Sequence, residues 1–188
     1  MRCTTYKLFL FDPEKIPIRE FLYLDTSMVI RAEMTPLLEF AFGQLHDLVA
    51  VRDWNYDAYN TSVMRVRQTC RLAMIPEAYE AGVAFDQRVP GDQDFVSGVV
   101  RCRGLEAHVT TFPDELVACF GTARRACRRN GRKGYEMLER AVIVKFNGRP
   151  KMDEVIDPRY RLRQIWETRN PLHRRAWFWV KETKDLWR

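Results

Sequence analysis

The stretch GTARRACRRNGRKGYE, residues 121–136, holds the side chains with the clearest chemistry in this sequence. Six cations lie within ten positions of this stretch: Arg124, Arg125, Arg128, Arg129, Arg132 and Lys133. Tyr135 follows two residues after the last of them. No acid falls between Glu115 and Glu136. Guanidinium groups match the geometry of phosphates and carboxylates, so this run, with Tyr135, predicts a surface that binds an anion.

Two interpretations of the arginine run compete. Cations in the last turn of a helix gain about 0.3–1 kcal/mol each from the helix dipole, and a charged run opposite an apolar stripe is typical of a solvated face. Like charges four residues apart, such as Arg124 with Arg128 and Arg125 with Arg129, repel by about 0.2–0.5 kcal/mol per pair. Because no neighbouring acid offsets that repulsion, the pattern favours a bound partner over a solvated face.

The charge distribution along the chain agrees with a polyanionic partner. Residues 1–100 carry 10 basic and 14 acidic side chains, whereas residues 101–188 carry 21 basic and 11 acidic side chains. Arginine outnumbers lysine 24 to 7, which a genome-wide codon bias would explain equally well. The partner expected first is nucleic acid or a nucleoprotein complex, and the alternative is an acidic protein surface.

Catalytic patterns are incomplete in this sequence. His108-Val109-Thr110 has the form of half a two-histidine phosphoesterase signature, but neither His46 nor His173 is followed by the required residue. The five cysteines are widely spaced and form no CxxC pair, which argues against a zinc site. The sequence therefore predicts no catalytic residues, no metal and no cofactor.

One short stretch resembles an enzyme family. WFWVKETK, residues 177–184, resembles the hydrophobic strand ending in Glu-x-Lys of the restriction-endonuclease-like nucleases, at Glu182 and Lys184. Asp157 lies upstream as a further carboxylate. The resemblance covers only these residues and implies a small metal-dependent nuclease as a second alternative function.

The amino-acid composition indicates a folded protein. Apolar residues make up 46% of the 188 residues and no apolar run is long enough to span a membrane, which predicts a folded cytoplasmic protein without a membrane partner. We expect a single α+β domain over residues 1–188, with a mixed or antiparallel sheet. The turn cluster VPGDQD gives a weak subdomain boundary near 89–94.

Periodicity and turn residues predict the elements that position the arginine run. Two main helices are expected, at about 36–51 and 113–130, the second beginning at Pro113 and ending at Asn130-Gly131. Leu116, Phe120, Ala123 and Cys127 then share the apolar face of that helix. Strands are expected at residues 4–11, 19–25, 63–74, 95–102, 105–112, 140–146, 160–167 and 175–182.

The strand expected at 63–74 carries a second basic face. Arg65, Arg67 and Arg71 alternate there with apolar residues, which predicts that their side chains point into solvent. The functional hypothesis is a non-enzymatic, arginine-rich protein whose basic patch binds nucleic acid. The first alternative is an inhibitor or adaptor that binds an acidic patch of a nucleic-acid enzyme.

Overall fold

A computed structural model describes residues 5–53, 56–85, 91–129 and 131–146, without the side chains of 127–133 and 135. Contacts between Cα atoms divide the chain into two units. The first comprises Met1–Leu24 and Leu38–Phe112, and the second comprises Asp25–Leu37 and Pro113–Arg188. Both sides of the turn at 89–94 belong to the first unit. The number of domains stays a prediction.

The first unit contains a mixed four-stranded sheet in the order β1-β4-β3-β5. The strands are β1 (Glu20–Leu24), β3 (Leu48–Arg52), β4 (Tyr59–Arg67) and β5 (Val109–Thr111). β4 runs antiparallel to both β1 and β3, and β5 runs parallel to β3. Because β4 is covered on both faces, seven of its nine residues are buried.

Two helices of the first unit supply its core. Helix α2 (Cys70–Glu80) begins after Thr69, whose hydroxyl accepts the N–H of Leu72 and so caps the first turn. Helix α3 (Asp92–Cys102) buries apolar side chains at spacings of one and four residues, which defines a helical stripe: Phe95, Val96, Val99 and Val100. Burial of such a side chain contributes roughly 1.5–3 kcal/mol.

The second unit contains a three-stranded sheet in the order β2-β7-β6. Its strands are β2 (Met28–Ile30), β6 (Val117–Cys119) and β7 (Ile143–Lys145), and helices α4 (Phe120–Arg129) and α5 (Gly131–Arg140) pack against each other. Every residue of β6 and β7 is buried, as expected for a parallel strand pair covered on both faces.

Helix α1 (Thr35–Gly43) is the remaining α-helix of the described residues. The helices and mixed sheets together confirm the α+β class predicted from the sequence. Both expected main helices are present but shorter. The segment expected to be helical over 36–51 divides into α1 and β3, and the segment at 113–130 divides into β6 and α4. Helix α4 ends at Arg129, directly before the predicted stop at Asn130-Gly131, and a further helix, α5, begins at Gly131.

Several expected strands are wrong. Residues 5–11 form a 3₁₀ helix in which Leu8 and Phe11, three residues apart, enter the core. Residues 95–102 lie in α3, and β4 gives way to α2 at Cys70. β1 and β7 confirm the strands expected at 19–25 and 140–146. The strands expected at 160–167 and 175–182 lie outside the described residues.

Arg65 does not point into solvent, contrary to the sequence-based expectation. Its side chain has no exposed area and lies between β4 and the end of helix α1. The guanidinium donates hydrogen bonds to four backbone carbonyls, those of Ala41 at 2.8 Å, Gln44 at 3.2 Å, His46 at 2.8 Å and Asp47 at 3.3 Å. These carbonyls close the last turn of α1 and the loop into β3, where a helix end leaves acceptors unsatisfied.

We predict that Arg65→Met destabilises the protein by about 3–5 kcal/mol, because the buried carbonyls lose their donor and Glu20 keeps Arg67 but loses its contact with Arg65 at 3.5 Å. Urea unfolding measures this change. The matched control is Arg67→Met, since Arg67 contacts the same loop from a side chain that is 27% exposed. We expect the control to lose about 1 kcal/mol. Equal losses in the two variants would contradict the structural role assigned to Arg65.

Candidate functional site: a buried polar cluster at helix α3

Polar side chains gather where α3 begins beside β4. We call this group the α3 cluster, and its six buried members are Lys7, Asn60, Thr61, Ser62, Asp92 and Ser97. Asp53 and Gln93 are partly exposed and form its rim. All eight belong to the first unit. Buried polar groups are costly unless they are hydrogen-bonded, so this concentration requires an explanation.

An irregularity in the sheet brings the strand residues of the cluster together. Ala50 of β3 pairs with Met64, but the next residue, Val51, pairs with Asn60. The residues between Asn60 and Met64 therefore bulge out of the β3 ladder. β-Bulges re-aim side chains and are frequent beside active sites. Here the bulged segment directs Asn60 and Thr61 to the first turn of α3.

The first turn of α3 supplies the other half of the cluster. The Thr61 hydroxyl donates to the Asp92 carboxylate, and the Lys7 ammonium lies 3.5 Å from the same carboxylate oxygen. The Asn60 amide donates to Gln93 Oε1 at 3.0 Å. Asp92 also lies in the first turn, where the helix dipole favours a negative charge. These bonds hold the cluster in one arrangement.

The rim residues extend the cluster toward solvent. Gln93 Nε2 donates to Asp53 Oδ2 at 2.5 Å. Behind the rim, Ser97 Oγ donates to the Gln93 carbonyl at 2.8 Å and accepts the Tyr59 N–H at 2.9 Å. The rim therefore presents the Gln93 amide and the Asp53 carboxylate, and the buried members of the cluster hold these groups in place. Such groups bind ligands that carry many hydroxyls or other polar groups.

A cavity of about 400 Å³ lies at the same end of the β3–β4 pair. Its polar lining consists of Arg52, Asp57, Tyr59, Arg101, Glu106 and Thr111. Arg101 Nη2 donates to the Asp57 backbone carbonyl and lies 3.3 Å from the Asp57 carboxylate. Burial raises the pKa of the Tyr59 hydroxyl, the Glu106 carboxylate raises it further, and Arg101 opposes the shift.

A second polar centre lies in the second unit. The Lys145 ammonium, on buried strand β7, lies 2.7 Å from both the Asp25 carboxylate and the Ser27 hydroxyl. Lys145 is 5% exposed, so this pair is a buried ion pair. Across the described ranges, no group of three or more His, Cys, Asp or Glu side chains is arranged to hold a metal ion. The predicted absence of a metal and a cofactor stays a prediction.

The arginine run does not form a site that the structure defines. Arg124 and Arg125 lie on α4, where Arg124 Nε is buried without a hydrogen-bond partner among the described residues and Arg125 contacts the Thr122 hydroxyl. The remaining side chains of the run lie outside those described: Arg128, Arg129, Arg132, Lys133 and Tyr135. Anion binding by this run, and an acidic protein partner for it, stay predictions.

Other sequence-based candidates have mixed outcomes. His108 lies 3.8 Å from Asp47, which is bound at 2.7 Å by Arg71. Asp157, Glu182 and Lys184, the residues of the nuclease resemblance, lie outside the described residues. In the described part, no helix has the length and apolar character needed to cross a membrane.

The predictions from the sequence do not include the α3 cluster. The segment Gly91-Asp92-Gln93-Asp94 reads as a turn, and Asn60 reads as part of a polar loop. One signal was available: Asn60, Thr61 and Ser62 are three consecutive polar residues next to the apolar run of β4. Their pairing with α3, some thirty residues later, depends on the tertiary structure.

Comparison with known proteins finds similarity in structure but not in sequence. No protein-family model and no curated protein matches the sequence. The structure is similar to the glycosyltransferase GlyE of Streptococcus pneumoniae, with a TM-score of 0.58 and 13% identity over 96% of this chain and 43% of that chain. It is also similar to the galactosyltransferase LgtC in complex with donor and acceptor sugar analogs, with a TM-score of 0.51 and 13% identity over 94% of this chain and 66% of that chain.

A third similar structure is the bifunctional glycosyltransferase WbbM, with a TM-score of 0.52 and 12% identity over 78% of this chain and 32% of that chain. At such identities the likeness concerns the fold alone. The chain spans less than half the length of the GlyE and WbbM chains and about two thirds of LgtC.

These neighbours overturn the functional hypothesis drawn from charge. The similar structures are glycosyltransferases, and this likeness contradicts the expected nucleic-acid-binding protein, inhibitor and nuclease. The physical reason is that net charge and arginine content describe a surface, whereas function depends on a site that the fold assembles. Here the assembled polar site lies in the first unit, and the arginine run lies in the second.

The pH dependence of Tyr59 tests the geometry of the cavity. Since burial and Glu106 both raise its pKa, the Tyr59 phenol should ionise above the ordinary value of about 10. Its contribution to stability is then complete below about pH 10 and is lost as the pH rises through the higher pKa of the folded state. An ultraviolet titration of wild type minus Tyr59→Phe measures this ionisation. Glu106→Gln should lower the Tyr59 pKa, and an unchanged titration in that variant would show that the two groups do not interact.

Proposed function

We propose that this chain is part of a glycosyltransferase, which moves a sugar from an activated donor to a hydroxyl group of an acceptor. The observation that carries the proposal is the likeness of 96% of the chain to the GlyE glycosyltransferase fold. The α3 cluster supports it independently, because sugar recognition needs several fixed hydrogen-bonding groups at one place.

The reaction determines which groups the site must provide. The bond between the anomeric carbon and the leaving group breaks, the leaving group keeps the electron pair, and the acceptor oxygen forms the new bond. The acceptor hydroxyl releases its proton to solvent as the new bond forms. Because the sugar must be oriented for this displacement, amide and carboxylate groups that bind its hydroxyls determine the rate. Gln93 and Asp53 offer such groups at the rim of the α3 cluster.

The buried members of the α3 cluster hold the rim in place. Asn60 fixes one end of the Gln93 amide, and Asp53 fixes the other. Ser97 fixes the Gln93 backbone carbonyl. We therefore assign substrate binding to Gln93 and Asp53, and a positioning role to Asn60 and Ser97. A site held in this way loses little conformational entropy when it binds its ligand.

The proposed location is the cytoplasm. Cys70 and Cys102 are exposed free thiols and Cys119 is a buried one, as suits a reducing compartment. Fractionation of the native host measures the location, and recovery outside the cytoplasm would contradict it.

Donor binding and hydrolysis test the function. The chain is mixed with UDP-glucose, UDP-galactose, UDP-N-acetylglucosamine, GDP-mannose, ADP-glucose and CMP-sialic acid, each with and without divalent cations, and release of the free nucleotide is measured. We expect turnover of at least one donor. Gln93→Ala should lower that rate by about tenfold or more, since loss of about 1.4 kcal/mol of binding in the transition state corresponds to that factor.

Glu77→Ala is the control for this experiment, because Glu77 is an exposed residue of α2 outside the cluster. Its rate should equal that of the wild type. Thermal melts verify that both variants are folded. If the folded wild-type chain neither binds nor turns over any of the six donors, the proposed function is wrong.

A further inference from the structure

The cavity next to the α3 cluster has the size and chemistry of a small-molecule site. Its volume of about 400 Å³ lies within the range of roughly 300–1,000 Å³ typical of ligand pockets. Four of the lining residues come from different strands and helices: Arg52 ends β3, Tyr59 begins β4, Thr111 ends β5, and Arg101 lies in the last turn of α3. Asp57 comes from the loop between β3 and β4, and Glu106 lies in a 3₁₀ helix (Glu106–His108) after α3. Converging polar groups on rigid elements are typical of a binding site.

Several polar groups of this cavity are not used by the fold. Over the described part of the chain, no hydrogen bond or ion pair involves the Arg52 guanidinium, the Tyr59 hydroxyl or the Glu106 carboxylate. In contrast, Arg101 is held by Asp57 through the backbone carbonyl and the carboxylate. The buried members of the α3 cluster have hydrogen-bond partners within the protein, whereas this cavity presents one strong donor, one strong acceptor and one phenol to a ligand.

The balance of charge limits the class of ligand. The cavity is lined by two cations, Arg52 and Arg101, and by two anions, Asp57 and Glu106. A lining without net charge gives no electrostatic preference for a phosphate-bearing ligand such as the donor. A carboxylate, a guanidinium and hydroxyls side by side suit a neutral polyol instead, because each sugar hydroxyl both donates and accepts.

The position of the cavity relates it to the α3 cluster. Arg52 pairs with Tyr59 across β3 and β4, and the next pair along the strands is Val51 with Asn60. Asp53, a rim residue of the cluster, directly follows Arg52. The cavity and the cluster are therefore built on neighbouring residue pairs of the same strand ends.

We propose that this cavity binds the acceptor as a neutral saccharide, with Glu106 accepting hydrogen bonds from sugar hydroxyls and Arg52 and the Tyr59 hydroxyl completing the contacts. This inference rests on the proposed glycosyltransferase function and assigns the second substrate of that reaction. Glu106 and Arg52 act by binding and orienting the saccharide.

Titration with free sugars tests the inference without requiring transfer. Glucose, galactose, N-acetylglucosamine, lactose and maltose are titrated into the wild-type chain and followed by ligand-observed NMR. We expect at least one of them to bind. Glu106→Gln and Arg52→Met should each weaken its binding by about tenfold, the factor that corresponds to a lost charge-assisted hydrogen bond of about 1.4 kcal/mol. Where transfer is measurable, the acceptor KM should rise by the same factor.

Arg103→Met is the matched control. Arg103 is an exposed arginine that follows α3 directly and does not line the cavity. Its sugar affinity and its acceptor KM should equal those of the wild type. Arg52 and Glu106 are exposed, so the variants should fold, and thermal melts verify this.

The outcomes separate this inference from the function on which it rests. If the wild type turns over a donor but its sugar affinity is insensitive to Glu106→Gln and Arg52→Met, the cavity is not the acceptor site and the function stands. If UDP or glucose 1-phosphate binds in an Arg52-dependent manner while neutral sugars do not, the assigned ligand class is wrong. If neither donors nor sugars bind, both proposals fail.

Discussion

One buried cation determines how the first unit is put together. Arg65 has no exposed area, yet its guanidinium reaches the carbonyls that end α1 and those of the loop leading into β3. Burial lowers the pKa of Arg65 and the Glu20 carboxylate raises it. A guanidinium stays protonated in proteins, so the group carries its charge. A charge buried in this way requires its partners, so α1, β3 and β4 are held together.

The candidate site depends on that attachment. β3 and β4 meet α1 at one end through Arg65, and at the other end they carry Arg52, Tyr59 and Asn60. The bulge opposite Ala50 and Val51 turns the polar start of β4 toward α3. Because α3 buries Phe95 and Val99 in the same core, its first turn is placed beside that bulge. Packing of apolar residues thus positions the polar ones.

Satisfied and unsatisfied polar groups have different roles here. In the α3 cluster, the partners of Asn60, Thr61 and Asp92 lie within the protein, which makes the cluster a rigid support. In the cavity beside it, Arg52 and Glu106 have no such partners among the described residues and face a space of about 400 Å³. Polar groups that have no hydrogen-bond partner among the described residues, next to a rigidly held cluster, are expected where a flexible, hydroxyl-rich substrate must be oriented.

The sequence by itself determined the α+β class and strands such as β1 and β7, because composition and a local run of apolar residues decide these properties. The tertiary structure decided the rest. Phe95, Val96, Val99 and Val100 suit a strand by residue type, but burial at helical spacing against the core selects α3. Alternating basic and apolar residues around Arg65 predict a strand with one exposed face. In the structure both faces of this strand are buried, which the alternation does not predict. The α3 cluster joins residues some thirty positions apart, so its polar segments resemble loops until folding supplies their partners.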